Sequence, residues 1–127
     1  MRRSSVLVLG TQDSLYLEKF LINLGLTPVL CRQTQEAQEK LRHNHFAAVL
    51  LDHDYYESDV LELILNIQDI DSEVPILIIG KSQKVKNKDL LVSLGRIYLV
   101  NTDGSKEQLD KGLLKILRNL SSQQQTE

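Results

Sequence analysis

The chain has 127 residues, 42% of them hydrophobic and 25% charged, enough for a single core covered on two sides. A net charge of −2 excludes a general nucleic-acid-binding face, and no apolar run approaches the length of a membrane span. The single cysteine, Cys31, excludes an internal disulfide and makes a reducing cytoplasm the expected setting.

The start, "MRRSS", carries a basic pair, but the apolar "VLVLG" after it is too short for a signal sequence. "VLVL" (6–9) predicts the first strand. Leu17, Phe20, Leu21 and Leu24 repeat at i, i+3, i+4, i+7 and predict a first helix stopped by Gly25. "PVLC" (28–31) predicts the second strand. Thr34–Arg42 predicts a more polar helix with Ala37 and Leu41 inward. His43 and His45 follow and read as a surface loop; with His53 they form no ligand set.

"AAVLL" (47–51) predicts a third strand that runs into Asp52 and Asp54. Val60, Leu63, Ile64 and Ile67 predict the third helix. "PILII" (75–79) predicts the fourth strand, and "KSQKVKNKDLLVSLG" a loop and a short helix ending at Gly95. "IYLV" (97–100) predicts the fifth strand. Leu109, Leu113, Ile116 and Leu120 predict the last helix, with Ser105 and Gln108 as its capping box. The tail "SSQQQTE" has no apolar residue and reads as disorder or the start of a linker, so the domain is placed at 1–120 and the tail at 121–127.

The strand runs are continuous rather than alternating, as in parallel strands buried on both faces. Strand and helix alternate five times. Right-handed crossovers then give a flavodoxin-like (βα)5 doubly wound parallel sheet, expected in the order 2-1-3-4-5. Ligands in such a sheet bind beyond the carboxyl ends of the strands. The residues there are Gly10–Asp13, Asp52–Asp54, Gly80–Ser82 and Asn101–Asp103. Cys31, with nothing nearby to activate it, reads as a small apolar residue. Asp52 by itself reads most simply as a strand-end carboxylate accepting loop N–H bonds.

The stretches "LLDHDYYESDVLELI", "VPILIIG" and "IYLVNT" resemble the receiver domain of bacterial response regulators over nearly the full chain. The resemblance places Asp52 on the phospho-accepting aspartate and Tyr98 on the switch aromatic. It also implies a pocket that this sequence has largely lost. The acidic pair that holds a magnesium ion reads Gly10 and Thr11, or Val8 and Leu9 in an ungapped register. The strand 4 hydroxyl reads Gly80, the strand 5 lysine reads Asn101, and the proline after it reads Thr102. The proline and glycine of the strand 3 loop are replaced by Tyr56 and Val60.

A phosphoryl group on Asp52 would then sit among Asp54 and Glu57 with little compensating charge. The resemblance is therefore to a degenerate receiver, a pseudo-receiver, that is not an enzyme, needs no cofactor and acts through an attached transcriptional output domain, a protein partner or a homodimer. The dimer face it implies, helix 4–strand 5–helix 5, holds Lys88, Arg96, Glu107, Asp110 and Lys111. The alternative is an atypical phospho-acceptor at Asp52, with magnesium held by Asp13 or Asp54. A small-ligand-binding domain is disfavoured, because "LGTQDS" has one glycine and no phosphate-cradling loop.

Overall fold

The computed structural model describes residues 5–10, 15–52, 60–80, 85, 87–101 and 106–125. In chain order these form β1 (Ser5–Leu9), α1 (Leu15–Asn23), β2 (Thr27–Cys31), α2 (Thr34–His43) and β3 (Ala48–Asp52). Then come α3 (Val60–Ile70), β4 (Ile76–Gly80), α4 (Lys88–Ser93), β5 (Ile97–Asn101) and α5 (Lys106–Gln125). All strand pairs are parallel, in the order β2-β1-β3-β4-β5. The sequence reading of both fold and strand order holds.

Strand alternation divides the aliphatic runs between two cores. Leu7, Leu9, Val49, Leu51, Ile76 and Ile78 meet α2, α3 and α4 on one side. Val6, Val8, Ala48, Leu50, Leu77 and Ile79 meet α1 and α5 on the other. The helices close over these faces by the predicted stripes: Ala37 and Leu41 on α2, and Val60, Leu63, Ile64 and Ile67 on α3, are all buried.

Edge position explains the proline in β2. The Gly10 N–H donates to the Cys31 carbonyl at 3.4 Å, so the backbone polar groups of Cys31 face β1. Alternation turns those of Pro28 and Leu30 to the open edge. The N–H that Pro28 lacks is thus one the sheet does not need, and its absence discourages pairing with another strand.

Helix ends follow local chemistry. Gly25 and Gly95 both stand at φ +82 after α1 and α4, a conformation only glycine adopts at little cost. Gly112, inside α5, needs no such freedom: a Cβ there meets only the Val100 Cγ1 at 3.7 Å, ordinary contact. Gly112→Ala is therefore expected to stabilise the domain by about 0.5–1 kcal/mol, read as a higher urea midpoint at unchanged m-value; a lower midpoint would contradict the packing of α5 on β5.

Several sequence expectations need correction. Leu24 lies beyond α1 in the turn and is exposed rather than on its inner face. His43 is the last residue of α2 and pairs with Glu39 one turn back at 2.8 Å, instead of lying in a loop. That His43 hydrogen bond, with Arg42 at 3.3 Å, holds the Glu39 carboxyl below its ordinary range. Leu117 is buried in α5, a position the predicted stripe omits. In the tail that reads as disorder or the start of a linker, 121–125 continue the last helix, so α5 has 20 residues and spans about 30 Å. Ser105 of the expected capping box lies outside the described residues.

Candidate functional site

The carboxyl edge of the sheet is where the topology places a site, and register decides which residues share a level. Leu9 is level with Leu51, so Gly10 stands one step on, beside the end of β3. Asp52 is level with Ile79, and Ile79 with Val100; Gly80 is level with Asn101 one step further. The end of the sheet thus reads Gly10, Asp52, Gly80 and Asn101 along four adjacent strands.

Asp52 is half-buried at the end of a strand whose other four residues are buried. It makes an interaction within the fold, as does Asn101. Gly10 and Gly80 are buried, and they put no side chain into this end of the sheet. Asn101 is exposed. β5 is two strands from β3, about 10 Å at normal strand spacing. A lysine stem can cross much of that gap, whereas asparagine has a single methylene and no charge. The neighbours of Asp52 on the described strands therefore supply neither a hydroxyl nor a cation.

Thr11, Asp13, His53, Asp54, Tyr56, Glu57, Lys81, Lys84, Lys86, Thr102 and Asp103 lie outside the described residues. Among the described residues no group of three or more His, Cys, Asp or Glu side chains is arranged to hold a metal ion. Tyr98, at the switch-aromatic position, is half-buried and packs against the α1/α5 core.

On the face formed by α4, β5 and α5, Lys88 and Asp110 are half-buried, and Arg96, Glu107 and Lys111 exposed. Sequence spacing could not foresee the position of Arg96. It adopts φ +61, and its Nε and one terminal nitrogen donate to the Glu73 carbonyl at 3.0 and 2.8 Å. Any contact of Arg96 across the implied dimer face must compete with this clamp. Asp110 contributes a fully buried Oδ1 with no hydrogen-bond partner, a feature the sequence did not signal.

Cys31 is 1% exposed, and burial, followed by a Glu36 hydrogen bond, pushes its thiol up to about 12. The apolar reading of this cysteine stands. No helix among the described residues is long and apolar enough to cross a membrane.

By sequence the chain matches no protein-family model and no curated protein. By structure it is similar to solved bacterial signalling domains. A transiently phosphorylated "switch" of bacterial signal transduction superposes with a TM-score of 0.76 at 20% identity, over 98% of this chain and 99% of that one. The receiver domain of sensor histidine kinase PA1611 from Pseudomonas aeruginosa, with magnesium in its active-site cleft, gives 0.71 at 16% identity over 94% and 98%. NtrX from Brucella abortus gives 0.74 at 14% identity, over 98% of this chain but 28% of NtrX. Identities this low carry the fold and not the chemistry of a site.

Proposed function

We propose that this receiver-fold chain is a regulatory domain of a bacterial two-component-type signalling protein that acts by protein contact, without phosphoryl transfer. One observation carries the reading: β3 ends on a carboxylate, while β4 beside it and β5 one strand further end on Gly80 and Asn101. A phosphoryl group joining an aspartate brings a charge near −2 into a site that is already anionic, and transfer depends on cations to offset it. Asp52 then keeps its place as a strand-end hydrogen-bond acceptor, and the degenerate positions are Gly10, Thr11, Asp54, Gly80 and Asn101.

Two features support contact as the means of action. The chain aligns with a fraction of the much longer NtrX, which suits a domain attached to an output module in the cytoplasm, with 121–127 leading into the connection. The face formed by α4, β5 and α5 carries both signs of charge, exposed Arg96 and Lys111 with exposed Glu107, beside half-buried Lys88 and Asp110, which suits a self-complementary dimer face. The test is Asp52→Asn, which keeps the shape and removes the charge. Oligomeric state and output activity are expected to stay within about two-fold of the parent; loss of output on this change would refute the reading.

A further inference from the structure

The helices on the α2/α3/α4 side are unevenly packed, and the uneven place is apolar. On α3, Leu61, Leu65 and Gln68 each follow a buried residue by one place (Val60, Ile64, Ile67) and so share one flank. Gln68 Nε2 donates to the Gly95 carbonyl just past α4 at 3.1 Å, so this flank faces α4. Both helices follow right-handed crossovers and run parallel to each other, and parallel neighbours on one sheet meet through opposite flanks. The flank of α4 that meets α3 therefore carries Leu90, one place before buried Leu91, and Leu94 one turn on. Lys88 and Val92 take the other flank.

Leu61 and Leu94 are half-buried against the core and floor the space between the helices. Leu65 and Leu90 stand above them, 46% and 48% exposed. The charges on the crests are of one sign: Glu62 and Asp69 on α3, which has no basic residue, and Asp89 on α4. An apolar groove with acidic crests is matched by a helix that lays leucine-like residues between them and carries cations at its sides.

We propose that the α3–α4 groove docks an amphipathic helix of a protein partner whose apolar ridge is flanked by lysine or arginine. This rests on the contact-based reading above and adds where the contact lies and what it fits. It is distinct from the face formed by α4, β5 and α5, which lies across α4 on the Lys88 and Val92 flank.

The test uses the full chain with leucine methyl labels and two synthetic helical peptides sharing one leucine ridge, one flanked by lysines and one by glutamates. The lysine-flanked peptide is expected to shift the Leu65 and Leu90 methyls and to bind about ten-fold tighter than its counterpart, with the difference shrinking as salt rises. Leu65→Ser with Leu90→Ser, both at exposed positions, should weaken it about ten-fold at unchanged Tm. Equal affinities, shifts confined to other residues, or Leu65 and Leu90 methyls that move with protein concentration alone would each overturn the groove assignment. None of these outcomes touches the Asp52→Asn result, so the two proposals fail separately.

Discussion

Leu50→Ala is expected to destabilise the domain by about 2–5 kcal/mol, the largest effect of any substitution considered. Leu50 sits in β3, the central strand, 1% exposed, and paired on both sides with Val8 and Leu77. Its side chain faces the α1/α5 core among Val6, Leu21 and Leu113. Truncation removes buried methyl groups and leaves a space that a fixed parallel sheet with helices over both faces cannot easily close. For a domain of this size whose total stability is about 5–15 kcal/mol, that is a large fraction. Urea unfolding measures it, and the m-value should hold while the midpoint falls. A loss below about 1 kcal/mol would mean that the β3 face is open rather than covered by α1 and α5.

The Cys31 thiol is expected to resist alkylation in the folded protein by roughly a thousand-fold relative to the unfolded chain near neutral pH, because only the thiolate attacks. Its pKa stands at about 12 against 9.0 for the ordinary group, raised first by burial and then by the Glu36 side chain. At about pH 8 that difference lowers the thiolate fraction by the ratio of the two acid constants, three powers of ten at most. Iodoacetamide labelling followed by mass measurement checks it, with and without denaturant. Linkage fixes a second consequence. The folded state holds this proton more tightly than the unfolded chain, so the contribution of Cys31 to stability is fully present below pH 9.0 and is lost as pH rises from there toward about 12. Rapid labelling of the native protein, or stability rising over that window, would place Cys31 at the surface and not at the buried end of β2.

Periodicity carried most of the architecture. Continuous runs such as "AVLL" suggested strands buried on both faces, and Val60, Leu63, Ile64 and Ile67 the inner stripe of a helix. With five such alternations, right-handed crossovers and the size of the chain favoured the order 2-1-3-4-5. The misses have physical causes. Leu24 continued the α1 spacing, but the left-handed Gly25 turned the chain before it could pack. The polar tail lacks the apolar residues that signal order, yet a helix already started on Leu113 and Leu117 propagates into it at little cost per residue.

The candidate site was legible differently. Asp52, Gly80 and Asn101 could be placed at the strand ends because strand ends follow from the runs themselves. The clamp of Arg96 on Glu73 could not be read, since it joins two turns far apart in sequence through a left-handed backbone that residue identity does not announce. The orphaned Asp110 oxygen was hidden for a related reason: an acidic residue in a helix reads as solvated until neighbouring elements cover it. The α3–α4 groove depends on a flank assignment that only the Gln68 to Gly95 hydrogen bond supplies.

The central claim is that a carboxylate in the acceptor position is not sufficient for phosphoryl chemistry when its neighbours at the sheet end are Gly10, Gly80 and Asn101. Amide spectra of the labelled protein, recorded while magnesium and then beryllofluoride are added, test it most directly. No saturable shift is expected at Asp52, Gly80, Tyr98 or Asn101 up to millimolar magnesium, and none on adding beryllofluoride. A saturable magnesium shift centred on Asp52 that beryllofluoride extends to Gly80 and Tyr98 would contradict it and establish a working acceptor.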